Sequence, residues 1–194
     1  MKIRPATTHD AAALAYIQVN SYRTAFAGLM PADYLAHFSI EEQEQDWLDL
    51  LAEPTGDILL VAETDGGEIA GYALSRPGPV EIPALQTGET LPEGAYDAEL
   101  ISLHVRRTQQ KQGIGRALVR ATARALHEQG CTSLALFVLT GNPAATFYER
   151  LGAQRIGEKR WMIPADEART FGDFGFEVVE AAYGWPKIAA LSGA

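Results

Sequence analysis

Hydrophobic positions change period several times along the chain, and each change marks a predicted element. Ile3 to Ala6 reads as a short strand, and Thr8, His9 and Asp10 then form the N-cap region of a helix from about Ala11 to Phe26. A second helix should start after Met30-Pro31-Ala32-Asp33, with proline in its first turn, and end before Pro54. Residues 57–64 and 68–76 alternate apolar and polar around Asp65-Gly66-Gly67, which predicts an antiparallel hairpin. From Pro77 to Tyr96 the periodicity stops. Four prolines and three glycines there predict a long loop, the best candidate for a flexible cover over a bound ligand.

The most informative stretch follows. Ala98 to Val105 is apolar enough for a strand, and past Gly113 the positions Ile114, Ala117, Leu118, Ala121 and Ala125 have the spacing of an amphipathic helix. Gly113 and Gly115 therefore sit where a strand becomes a helix. Free N–H groups at a helix N-terminus attract an anion, and glycines let it approach the backbone, so a phosphate-bearing ligand is expected. Two common phosphate loops do not fit: a dinucleotide fingerprint needs glycine where Leu118 stands, and a Walker loop needs Lys-Ser/Thr where Arg116-Ala117 stand. A strand at Thr132 to Leu139, the segment Asn142 to Ala153, and strands near Gln154 to Met162 and Phe174 to Ala181 with an acidic turn between them complete the alternation.

Gln110-Lys111-Gln112-Gly113-Ile114-Gly115 resembles the Gln/Arg-x-x-Gly-x-Gly/Ala loop of the GCN5-related N-acetyltransferase (GNAT) superfamily. Asn142-Pro143-Ala144-Ala145-Thr146-Phe147-Tyr148-Glu149-Arg150-Leu151-Gly152-Ala153 resembles that family's second signature at the right distance, with Ala153 in place of the usual phenylalanine. Ser21 to Pro31 and Ala181 to Pro186 are similar to family members as well. The resemblance implies an α/β fold in one domain over residues 1–194: a mixed, mostly antiparallel sheet flanked by helices, with a splayed parallel pair at the cofactor site. It implies acetyl-CoA as the acetyl donor and acetyl transfer to a primary amine of a small molecule or a protein N-terminus. The alternative is a non-catalytic acyl-CoA-binding module.

Acetyl transfer from a thioester to an amine needs an uncharged amine, a stabilised oxyanion and a proton for the leaving thiolate. Tyr148 falls at the family position that often gives that proton, although it also suits a packed helix aromatic. Asn142 reads as a helix cap or a contact to the cofactor arm. Leu103, His104 and Val105 would pair their backbone with that arm, and Gln110, Lys111, Gln112, Gly113, Ile114, Gly115 and Arg116 would surround the pyrophosphate. Glu99 lies where many relatives carry the base, unless it faces solvent; simple alternation puts His104 and Ser102 on the face opposite Glu99, Ile101, Leu103 and Val105. Acceptor choice should lie with Tyr22, Phe26, Tyr34 and residues 77–96.

Charge and composition narrow this picture. Net charge is −9, which argues against nucleic acid, yet Arg106, Arg107, Lys111, Arg116, Arg120 and Arg124 fall in a stretch with no acidic residue. A polyphosphate field explains the first four, and a solvated helix face explains Arg120 and Arg124. Cys131 reads as a small core residue, and the spacing of the four histidines predicts no metal site. With no apolar run of membrane length and no signal-like start, a soluble cytoplasmic enzyme is expected, without a membrane partner and compatible with a homodimer.

Overall fold

Two apolar runs joined by a glycine turn give a hairpin that lies next to one edge of a seven-stranded sheet. The computed structural model describes residues 1–53, 55–82, 95–163 and 175–192. Its strands are β1 (Lys2–Pro5), β2 (Ile58–Glu63), β3 (Ile69–Pro77), β4 (Ala98–Val105), β5 (Leu134–Leu139), β6 (Gln154–Ile163) and β7 (Phe176–Trp185), in the spatial order β1-β2-β3-β4-β5-β7-β6. Gly67, at φ 81°, makes the β2–β3 turn in the conformation that glycine adopts at least cost. The β4–β5 pair is parallel and the other described pairs are antiparallel, as the resemblance implied. Most of the expected cover (83–94), the acidic turn with Phe174 (164–174) and Pro54 lie outside the described residues.

Helices cover both faces. On one face α1 (Ala11–Ala25) and α3 (Ile40–Ala52) pack Leu14, Ile17 and Trp47 onto Leu59, Val61, Tyr72 and Leu74. On the other, α4 (Ile114–Glu128) lays Leu118, Val119, Ala123 and Leu126 over the sheet, with α5 (Ala144–Arg150) and the short α6 (Ala189–Ser192) beside it. Cys131 is buried in this second core. The second helix expected from the sequence is in fact two, α2 (Ala32–Ala36) and α3. Ser39 breaks it: its Oγ accepts the Glu42 N–H at 3.1 Å and caps α3.

Two features of β4 position the site. Its register against β3 slips between Ser75↔Leu100 and Leu74↔Ser102, leaving Ile101 as an extra, bulged residue. Tyr72, Leu74 and Arg76 on one face of β3 therefore oppose His104, Ser102 and Glu99 on β4. Simple alternation separated Glu99 from His104; the bulge resets the phase and puts both on the α1 face, while Leu100, Leu103 and Val105 share the α4 face. The second feature is the splay. β4 meets β5 in register at Glu99↔Ala135 alone, and beyond it the strands part.

Candidate active site

A cleft of about 360 Å³ passes through the gap between β4 and β5. Its lining joins the two faces of the sheet, with Leu103, Val105, Val138, Asn142 and Tyr148 from the α4 side and Tyr22, Ser102, His104, Phe137 and Glu180 from the α1 side. The strand edges inside it are polar. Arg106 donates to the Ala70 carbonyl at 2.8 Å, and a Cβ on Gly71 would come within 2.6 Å of the His104 carbonyl, so the His104 backbone is turned toward β3. Alternation turns the N–H and C=O groups of Leu103 and Val105 toward the gap, where the Gln110 side-chain amide donates to the Val105 carbonyl at 3.1 Å. Leu103, His104 and Val105 all line the cleft; the register turns the backbone of Leu103 and Val105 toward the gap and that of His104 toward β3.

The loop after β4 has the features of an anion site. Gly113 adopts φ 85° immediately before α4, no side chain caps the helix, and the first amide of this turn with an acceptor is Ala117, which donates to Gly113. The N–H groups of Ile114, Gly115 and Arg116 make no such bond to a described residue, and the positive end of a 15-residue helix stands behind them. Lys111 is also left-handed, at φ 61°. The Gln112 side chain donates to the Thr108 carbonyl at 3.3 Å and, with Gln110, shapes the loop. The two glycines differ in role. A Cβ on Gly113 would meet nothing within 4 Å, so it serves backbone conformation; one on Gly115 would stand 3.3 Å from Phe147, so it serves the close packing of α4 on α5.

Arg106 leaves the phosphate field predicted for it. It pairs with Glu68 at 2.9 Å, donates to the Ile69 carbonyl at 2.7 Å and lies 5.0 Å from the Tyr16 ring centre. Arg107, Lys111 and Arg116 have no ion pair among the described residues.

Tyr148 comes from the buried face of α5 and is 8% exposed. Phe147 at 5.1 Å and Trp185 at 6.3 Å hold its ring edge-on, and the Trp185 indole donates to the Leu151 carbonyl at 3.0 Å, fastening β7 to the end of α5. Burial raises the phenol well above its ordinary value, so it carries its proton throughout the neutral range. Asn142 Oδ1 accepts the Ala144 N–H at 2.9 Å at the start of α5, and the residue lines the cleft.

Glu99 and His104 are placed differently. The His104 ring lies between Tyr72 at 5.3 Å and Tyr22 at 5.6 Å, and burial pushes its pKa down to about 4. Glu99 is half-buried and does not line the cleft; burial raises its pKa, opposed by Lys159 and Arg76 and reinforced by Glu180. Sequence reasoning placed Tyr22, Phe26 and Tyr34 near the acceptor, and they do line the cleft. It missed Phe137, Trp161 and Glu180. These stand on strands far apart in sequence, and only the β5-β7-β6 order brings them together.

Residues 22–153 match the model of the acetyltransferase (GNAT) family. YuaI of Bacillus subtilis (strain 168), an uncharacterised N-acetyltransferase, is 29% identical over 189 residues, which cover 97% of this chain and 95% of that protein. A ribosomal-protein-alanine N-acetyltransferase from Brucella melitensis superposes with a TM-score of 0.64 at 22% identity, over 95% of this chain and 99% of its own. PaiA N-acetyltransferase from Thermoplasma acidophilum, solved with coenzyme A, superposes with a TM-score of 0.63 at 17% identity, over 92% and 96%.

Proposed function

The chain belongs to the acetyltransferase (GNAT) family, and from that premise we propose that it moves an acetyl group from acetyl-CoA to a primary amine of a small molecule or a protein N-terminus. The observation that carries this reading is a single cleft that joins the open β4 edge and Tyr148 on one face to an aromatic wall on the other. Acetyl-CoA supplies an activated thioester; the PaiA structure holds coenzyme A on a similar fold. The free amides of the α4 N-terminus, with Lys111 and Arg116, receive its pyrophosphate. Leu103 and Val105 pair with the pantetheine arm, and an N–H of the same edge meets the charge that develops on the carbonyl oxygen.

As the amine nitrogen bonds to the carbonyl carbon and the C–S bond breaks, Tyr148 gives its proton to the sulfur. His104 is a poor proton sink at about pKa 4, but in neutral form one ring nitrogen accepts an N–H hydrogen bond and orients the amine. Glu99, with its pKa raised by burial, takes the amine proton through water from outside the cleft lining.

The test is thiol release from acetyl-CoA across an amine panel, with mass detection of the acetylated product and calorimetric titration with CoA. Thiol release that depends on an added amine is expected. CoA binding without any amine-dependent release would leave an acyl-CoA-binding module, and absence of CoA binding would remove the reading altogether.

A further inference from the structure

The acceptor side of the cleft has a composition that points to one class of amine. Six aromatic side chains line it: Tyr22, Phe26, Tyr34, Phe38, Phe137 and Trp161. Four of them pack on one another, with Tyr22 centred 4.8 Å from Phe26 and 4.9 Å from Phe38, and Tyr34 5.3 Å from Phe38. Among the described lining residues the carboxylate is Glu180. The Trp161 indole donates to its Oε2 at 2.9 Å, which fixes the group, while Oε1 makes no hydrogen bond to a described residue. The rings already attract a cation, since the Lys159 ammonium lies 5.4 Å from the Phe137 centre and 6.0 Å from that of Trp161.

We propose that the acceptor is a primary monoamine on an aromatic or bulky apolar body with no acidic group, and that Glu180 binds its ammonium end. This rests on the acetyltransferase reading above and names the substrate class of that site. A carboxylate with one oxygen unbonded to any described residue, in a wall of rings, holds the incoming ammonium by a charge-assisted bond to which the ring faces add cation–π attraction, until Glu99 takes the proton and frees the nitrogen to attack. The rest of the acceptor then displaces water from apolar surface. A carboxylate next to the amine would instead meet Glu180 at close range and be repelled. A polyamine's further charges would find no second lining carboxylate among the described residues, and ring faces alone offset little of their lost hydration.

Three acceptors separate the cases in one thiol-release assay: 2-phenylethylamine, phenylalanine, which adds a carboxylate to the same body, and spermidine. The expected order of kcat/KM puts 2-phenylethylamine at least about tenfold above the other two, in line with the cost of one unpaired or repelled charge. Glu180→Gln should raise KM for 2-phenylethylamine by about tenfold or more with kcat within a few-fold, and Glu180→Asp should recover part of it. Trp161→Phe, which frees the carboxylate to move, should raise KM by less. An unchanged KM in Glu180→Gln overturns the proposal, as does preference for phenylalanine or spermidine. Inactivity with all three overturns it too; if a peptide N-terminus is then acetylated, the transferase reading stands without it.

Discussion

The two ends of the β4–β5 pair differ in how their polar groups are satisfied. At the closed end Asp97, the residue before β4, accepts four hydrogen bonds from the two residues before β5: from the Thr132 N–H and hydroxyl at 2.9 Å each, and from the Ser133 N–H and hydroxyl at 2.8 Å each. Its own N–H donates to the Ser133 hydroxyl at 2.9 Å. At the open end Leu103 and Val105 face a gap and Ile101 bulges. A parallel pair normally exchanges evenly spaced bonds along its length. Here one end is densely bonded and the other is open, so stability and activity should respond separately to substitutions at the two ends.

The largest effect is expected at the closed end. Bonds to a charged group contribute about 1.5–3 kcal/mol each, shared among donors that water partly re-satisfies, and Ser133 is only 3% exposed. Asp97→Ala should lower the unfolding free energy by about 3–5 kcal/mol in urea titration at unchanged slope. A loss below about 1 kcal/mol would refute the clamp. Burial alone would raise the Asp97 pKa, but the Thr132 and Ser133 donors outweigh it and hold the carboxyl below its ordinary value. A depressed carboxylate stabilises fully above the unfolded pKa, and that stability is lost as pH falls through the folded value. The clamp should therefore weaken only below about pH 4.

Tyr148→Phe is the counterpart at the open end. It keeps the ring that Phe147 and Trp185 hold and deletes one proton donor. Turnover should fall roughly 10- to 1,000-fold while CoA affinity and unfolding free energy stay near wild type. Full turnover in the variant would mean that the thiolate leaves unprotonated or takes its proton from water.

Gly115→Val joins the two behaviours. Its new side chain would press on Phe147, beside Tyr148, so about 1–3 kcal/mol of overpacking is expected in thermal unfolding, with weaker CoA binding following from the shifted helix start. Gly113→Ala meets no atom within 4 Å and should cost only the left-handed conformation, about 1–2 kcal/mol. A loss below about 0.5 kcal/mol in Gly115→Val would show that contact with Phe147 contributes nothing.

Local signals account for what was readable in the sequence. The hairpin turn, the strand at Ala98–Val105 and the helix after Gly113 are each specified by periodicity and glycine within a few residues, and the structure has them there. The Asn142 and Tyr148 segment was legible through resemblance. The bulge at Ile101 was not, because a strand of alternating apolar residues gives no sign of a slipped register until its neighbour is known. The break between α2 and α3 had a sign, Ser39 three residues before Glu42, that the longer helical pattern concealed. Glu180 and Trp161 were invisible for a third reason. They meet across a sheet order that inserts β7 between β5 and β6, and no sequence period encodes that.

The smallest effect separates the two ends by pH. His104 has an ordinary value of 6.5, which burial lowers to about 4 in the fold. Between those values the unfolded chain binds more protons than the native one, so stability rises with pH across that window and falls as the solution is acidified through it. A shift of this size corresponds to at most about 3 kcal/mol, and the ring opens on a cleft that solvent enters, so roughly 1–2 kcal/mol is expected. His104→Phe retains stacking between Tyr22 and Tyr72 but cannot charge. Urea titrations at several pH values should show wild type losing stability relative to the variant from about pH 6.5 to 4, with both falling together where Asp97 and the other depressed carboxylates, Asp10 and Asp57, take up their protons. If the two curves run parallel through that upper window, His104 is charged or well solvated in the native state, and its proposed part as a neutral acceptor for the amine falls with it.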